Sequence, residues 1–361
     1  MPRTATQPAD NTIPRYRLLA DELRQQIQSR QLLPGDRLPT FAEMRVQYNV
    51  TSTTIERVYG ILESEGLIKR QQGSGTFVTE QKRPTTGNIG LLFQVESLTN
   101  PYEMDLLAGM RYEAMQHGME ILLLNAQDEN ADYDKFDAIA MYCDIAEATS
   151  LNLPPNMPAV LLFETCPEFT CIVPDDFEGV RLATQHLIAQ GHRKIAYLQH
   201  SYDDSIGWQR LAGYQAGHRE AGLETDSQFI RQFEKSLTQD YREAAEVVMQ
   251  DWLKNDWHQL GCTALLAHND EVAIGAMNAF LENGLNVPRD VSVVGFDGTM
   301  ICDLCTPKLT SIKVPLREIG SRAVTVLMEQ LQGGVKAPEK ITLPVQLIPG
   351  ASVQPIEEPR A

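Results

Sequence analysis

Apolar residues recur at four-residue spacing near the start of the chain. Leu19, Leu23 and Ile27 within YRLLADELRQQIQSR mark one face of a helix. The run stops at LLPGDRLP, where Pro34-Gly35 predicts a turn and Pro39 an extended entry to the next element. Thr40 is placed to cap a short second helix, TFAEMRVQY. Asn49 breaks the chain, and Thr51 caps a third helix, STTIERVYGILESEG, with Ile55, Val58 and Leu62 inward and Gly66 at its end. A strand-like LIKR, a tight QQGSG and a strand-like GTFV follow. Beyond the polar EQKRPTTG the pattern changes. Continuous apolar runs (NIGLLFQV, EILLLNA, DAIAMYC, AVLLFE, then KIAYLQ, TALLAHN, VSVVGFD) alternate with amphipathic stretches such as YEMDLLAGMRYEAMQHG, EGVRLATQHLIAQG and EVAIGAMNAFLENG.

Helix, helix, turn, helix and hairpin is the order of a winged helix-turn-helix, an α+β unit over residues 14–79. Strand–helix alternation implies parallel sheets with helices on both faces. Two series of strands imply a two-lobed α/β domain over 88–355, with a cleft at the carboxyl ends of its strands. The expected division puts 88–173 and 302–335 in lobe 1, and 174–301 and 336–355 in lobe 2. Residues 80–87 are the linker. Only twelve residues, NAQDENADYDKF, separate Leu124 from Asp137. A crossover with its helix takes at least roughly 10–12 residues, so lobe 1 is expected to have lost or shortened a helix there.

Charge changes the picture. Net charge is −17, which alone argues against nucleic acid. Residues 1–83, however, hold 12 of the 31 Lys and Arg and 9 of the 48 Asp and Glu, giving +3 against −20 for the rest. A mildly basic head on an acidic body can approach phosphates while the body is repelled. No apolar run reaches the roughly 18–20 residues of a membrane span, and the N-terminus lacks the apolar core of a secretory signal. A cytoplasmic protein is expected, with its six cysteines reduced. Cys302-Asp-Leu-Cys305 has no second such pair and no His at zinc spacing, so no metal is expected. There is no GxSxG, HExxH, phosphate-binding loop or GxGxxG, so neither an enzyme nor a cofactor is expected.

LLPGDRLP, NVTSTT, ILESEGLI and GSGTFV, in that order, resemble the GntR family of bacterial regulators over residues 14–79. The resemblance implies a head that binds double-stranded operator DNA through its third helix and its wing. The implied contacts are Thr40 and Arg45 on the second helix; Thr51, Ser52, Thr53, Thr54 and Arg57 on the third; and Lys69, Arg70, Gly73, Ser74 and Gly75 on the wing. The chain departs from the family where arginine is common, with Ala42, Ser52, Glu56 and Ser74 standing instead. Arginine is the usual bidentate reader of guanine, so these four positions do not carry the family's arginine reading set.

NPYEMDLLAGM, VPDDFEGVRLATQHLIAQGHRKIAYL, WQRLAGYQAG, HNDEVAIGAMNAFLENGLNVPRDVSVVGFDG and PKLTSIKVPLREIG resemble the LacI/GalR effector domain, itself similar to periplasmic sugar-binding proteins. A GntR-type head on such a body is similar to the arabinose-responsive repressors. The resemblance implies that Arg210, Asn269 and Asp297 hydrogen-bond a small sugar. By position, Tyr102, Phe163 and Trp208 are candidates to stack on it, and Gln94, Asn100 and Glu103 to hydrogen-bond it from lobe 1. Asp270 either caps the following helix or touches ligand, and Asp175 is structural at the lobe crossover. Glu96, Glu103 and Asp297 argue against a phosphorylated effector. The expectation is a homodimeric, sugar-responsive repressor that dimerises through the body. Two alternatives stay open: a DNA-binding regulator whose shortened lobe senses a nucleoside, a protein or nothing, and a sugar-binding module without DNA function.

Overall fold

The computed structural model describes residues 14–28, 31–33, 35–71, 73–79, 86–93, 101–125, 131–154, 156–200, 205–234, 240–333 and 337–356. The chain forms two compact units, split at Thr85/Thr86.

The N-terminal unit is built as the periodicity predicts. Helices α1 (Arg15–Gln28), α2 (Phe41–Tyr48) and α3 (Ser52–Ser64) are followed by a hairpin of β1 (Ile68–Gln71) and β2 (Gly75–Val78). Leu19, Leu23 and Ile27 of α1 pack on Ile55, Val58, Tyr59 and Leu62 of α3, closed by Met44, Ile68 and Val78. Thr40 caps α2 in a reciprocal box with Glu43, and Thr51 caps α3 by accepting from the Thr54 N–H at 3.3 Å. Asn49 turns the chain between α2 and α3 in the left-handed region, at φ 49°.

The second unit holds two six-stranded sheets. Its elements are β3 (Asn88–Phe93), α4 (Pro101–Gln116), β4 (Glu120–Asn125), β5 (Ala138–Tyr142), α5 (Ile145–Ser150), β6 (Ala159–Leu162), β7 (Thr170–Pro174), α6 (Asp176–Ala189), β8 (Ile195–His200), α7 (Ser205–Glu220), β9 (Ile230–Phe233), α8 (Tyr241–Asn255), α9 (Trp257–Leu260), β10 (Ala264–Ala267), α10 (Asp270–Glu282), β11 (Ser292–Asp297), α11 (Ile301–Leu304), β12 (Thr310–Lys313), α12 (Leu316–Gly333), β13 (Lys340–Leu343) and β14 (Gln346–Ile348). The first sheet runs β13-β7-β6-β5-β3-β4, all parallel; the second runs β14-β12-β11-β10-β8-β9, with only β14 antiparallel.

The strand exchange corrects the expected lobe boundaries. β12 pairs with β11, so the stretch up to Lys313 completes the second sheet, not the first. β13 pairs with β7, so Lys340–Leu343 returns to the first sheet. Each sheet takes one of its two edge strands, β13 or β14, from the C-terminal part of the chain, and the chain crosses between lobes three times. Among the described residues, the link between β4 and β5 holds only a 3-10 turn, Tyr133–Lys135. No helix among the described residues is long and apolar enough to cross a membrane.

Candidate functional site

At the carboxyl end of the second sheet, a guanidinium and a carboxylate are buried together. Arg210 of α7 and Asp176 of α6 are 6% and 2% exposed. Arg210 Nε donates to Asp176 Oδ1 at 2.7 Å, and its Nη1 donates to the His268 carbonyl at 2.6 Å. Its guanidinium carbon lies 3.9 Å from the Phe296 ring centroid. Burial opposes the Arg210 charge, but Asp176 and then Asp297 more than restore it.

Asp297 closes β11 at φ 107°, a conformation disfavoured for any side chain but glycine. Burial pushes its carboxyl well above the usual carboxylate range. Asp270 adds to the effect, and Arg210 opposes it. The loop after Asp297 is pinned from behind. Asp270, 1% exposed, accepts from the Thr299 N–H at 2.9 Å, from the Thr299 hydroxyl and from the Ser311 hydroxyl. Gly295 permits this approach, since a Cβ there would lie 2.5 Å from Asp270 Oδ1.

Lobe 1 contributes an apolar wall. Phe163, just beyond β6 at φ 69°, has its ring centroid 5.3 Å from that of Tyr102 and 5.0 Å from that of Tyr142. Burial raises the Tyr102 phenol far above its usual range, and the next contribution comes from Asp297 across the cleft. Glu103, in the first turn of α4, is pushed up to about 7 by burial, with Glu271 of α10 adding to it. Its Oε2 is buried without a hydrogen-bond partner among the described residues.

Of the residues singled out from sequence, Arg210, Asp297, Tyr102 and Phe163 therefore come together. Asn269 lies beside them, but its side chain caps α10 by accepting from the Val272 N–H at 2.9 Å. Asp270 neither caps nor faces the cleft. Asp175 caps α6 through the Glu178 N–H at 3.0 Å. Trp208 is 64% exposed; two residues along a helix is about 200° of rotation, which turns it away from Arg210. Gln94, Glu96 and Asn100 lie outside the described residues. Sequence reasoning missed Asp176 and Tyr142. A buried arginine required a carboxylate partner, and Asp175-Asp176 at a strand-to-helix junction was the available signal. All six cysteines are free; Cys302 lies within α11 and Cys305 caps its C-terminal end. Among the described residues no three His, Cys, Asp or Glu are grouped to hold a metal ion.

In the N-terminal unit, a concavity of about 890 Å³ is lined by Ala42, Val46, Asn49, Val50, Thr51, Ser52 and Thr54, with Arg15 and Arg45 alongside. Several expected DNA contacts are already engaged within the protein. Arg70 pairs with Glu56 at 2.6 Å and Glu63 at 3.1 Å, both on α3. Arg57 lies over the Tyr16 ring at 5.8 Å. The Thr40 hydroxyl donates to the Glu43 carboxylate while accepting from its N–H. Arg45, Ser52, Thr53, Lys69, Gly73 and Ser74 are exposed, and Gly75 is half-buried. Arg15 was not anticipated from sequence.

The comparisons agree with this division of labour. Residues 15–78 match the gntR family of bacterial regulatory proteins, and residues 184–353 match a periplasmic binding protein-like domain. The chain thus carries a gntR-type winged helix-turn-helix and a two-lobed periplasmic binding protein-like domain, the architecture of a ligand-responsive transcriptional regulator. It is 29% identical over 350 residues to the arabinose metabolism transcriptional repressor of Geobacillus stearothermophilus, covering 90% of this chain and 93% of that one. It is 27% identical over 300 residues to the repressor CytR of Escherichia coli K12, covering 79% and 83%. Among solved structures, the Escherichia coli transcriptional repressor ascG superposes with a TM-score of 0.60 at 26% identity, over 74% of this chain and 99% of that one.

Proposed function

We propose that this protein is a repressor released from its operator by a sugar or related polyol, and that its role is regulatory rather than catalytic. The observation that carries the reading is the cleft. The aromatic wall of Tyr102, Tyr142 and Phe163 suits the C–H face of a sugar, and the opposite lobe supplies Asp297 and the Arg210–Asp176 pair for its hydroxyls. Asp297 and Asn269 are the proposed acceptor and donor, with Glu103 reaching from lobe 1. The repressor relatives named above support regulation by a small molecule. The body is proposed to dimerise through α4 and α10, where Met104, Tyr112, Met115 and Leu281 are exposed. Each protomer would then place one α3 in a major groove of a two-fold operator. The effector acts only through a difference in affinity between two lobe arrangements.

A thermal-shift screen of monosaccharides, disaccharides and nucleosides tests the cleft. A hit should raise the melting temperature of the wild type and lose its effect in Asp297→Ala. A shift that survives this change removes Asp297 from the site. A nucleoside hit in place of a sugar overturns the sugar reading alone.

A further inference from the structure

The DNA-facing surface of the N-terminal unit has an unusual floor. Ala42 and Val46 stand one turn apart on the same face of α2, and Val46 is 86% exposed. A β-branched side chain so exposed on a helix gains nothing in solvent, and it borders the concavity shared with Val50, Thr51, Ser52 and Thr54. The hydroxyls of Thr51 and Thr54 lie 3.0 Å apart, and the former also accepts from the Thr54 N–H. One of the two hydroxyls donates to the other and the second keeps its proton, so the pair offers a ligand two methyl groups and a single O–H donor.

Two arginines line the same concavity, and two other arginines of the head are engaged within the protein. Reading guanine takes a fork donor aimed at O6 and N7. Arg70 is held by two glutamates of α3, and Arg57 lies against Tyr16. The arginines lining the concavity are Arg15 and Arg45, and Arg15 already donates to the Tyr48 carbonyl at 3.1 Å. Those two suit phosphates on either side of a groove. The group on a major-groove floor that suits an apolar surface is the C5-methyl of thymine.

We infer that the head selects its half-site through thymine methyl groups, with Val46 as the specificity-determining contact and Ala42, Thr51 and Thr54 completing the surface. This rests on the DNA-binding reading of the head and adds the chemistry by which it discriminates. It requires A·T pairs where α2 and the start of α3 meet the groove, with no obligatory guanine there.

The test uses the full-length chain and a randomised duplex pool. After selection, the enriched duplex is resynthesised with deoxyuridine for thymidine, which removes only the C5-methyl. At fixed salt, each contacted methyl removed should weaken binding about fourfold, as for one buried methylene. In Val46→Ala, an exposed position that leaves the fold intact, the uracil penalty at the facing base should shrink towards none. That coupling separates direct contact from a change in duplex stiffness. Equal binding of thymine and uracil duplexes overturns the methyl proposal while leaving DNA binding in place. An undiminished uracil penalty in Val46→Ala removes Val46 as the contact. If no duplex is retained from the pool, DNA binding itself fails, and this inference with it.

Discussion

The two lobes of the body share one architecture but are clothed differently. The second sheet has a helix pair on each face. α6 and α7 cover Ile195, Tyr197, Val294 and Phe296, while α8 and α10 cover Leu198, Leu265 and Val293. The first sheet has one such pair, α4 and α12, over Leu91, Ala140 and Val160. Its other face carries α5 and the 3-10 turn, over Leu92, Ile139, Met141 and Leu161. Its edge strand β4 leaves Leu122 and Leu123 exposed. The well-covered lobe holds the buried Arg210–Asp176 ion pair, and the thinly covered lobe supplies the aromatic wall. Buried ions need a surround that cannot relax into water, whereas apolar rings packed at a tilt tolerate a thinner support. The short link between β4 and β5 falls on the face of lobe 1 away from its main helix pair, which carries Tyr102.

Four experiments would break or sharpen this contrast, beginning with the largest expected effect. Asp176→Ala strands the Arg210 charge in lobe 2 and should cost about 3–5 kcal/mol in urea unfolding of the body. A cost below about 1 kcal/mol would mean that water reaches the pair. Next is proton linkage at Glu103. Its folded pKa lies above the unfolded value, so the folded state holds the proton more tightly. The stability it contributes is present at low pH and is lost as pH rises from about 4.5 to about 7. The gap between wild type and Glu103→Gln should therefore open by about 2–3 kcal/mol across that window, in the variant's favour. The difference is the quantity to follow, because burial lowers the pKa of His192, His218 and His268, which act in the opposite sense below pH 6.5.

The third experiment compares helix crossings. A Cβ on Gly320 would lie 2.3 Å from the Leu106 carbonyl oxygen in lobe 1, and one on Gly275 would lie 2.2 Å from the Arg242 carbonyl oxygen in lobe 2. Either alanine should cost about 1–3 kcal/mol, with the smaller loss in lobe 1 if its thinner cover lets the helices part. The smallest effect is expected at the edge strand. Leu122→Lys should change stability by no more than about 0.5 kcal/mol. A larger loss, measured alongside sedimentation, would show that the native assembly covers this edge.

Much of this was legible in the sequence. The apolar period placed α1 to α3 and the hairpin, and the alternation of strands and helices placed two parallel sheets. The strand exchange was not legible, because a four-residue run such as TSIK or KITL carries no mark of which sheet it will join. Arg210 and Asp297 came from resemblance, while their support did not. At two strand-to-helix junctions, adjacent polar residues divide the work. Asp175 caps and Asp176 turns inward to Arg210; Asn269 caps and Asp270 turns inward to Thr299 and Ser311. Either residue of such a pair is chemically able to cap, and only the packed structure assigns the roles. The Arg70 ion pairs were hidden for a related reason, since Glu56 and Glu63 meet Arg70 only once the hairpin folds back beside α3.

The three passages of the chain between the sheets, after β7, after β12 and after β13, have a mechanical corollary. They lie side by side, with the Asp175 N–H bonded to the Leu343 carbonyl at 3.0 Å. Two domains sewn at a single thread can swivel, slide or be severed by one protease cut. Three stitches along one seam suppress twisting and sliding and leave chiefly the opening and shutting of a book. A nick in any one of them leaves both covers bound.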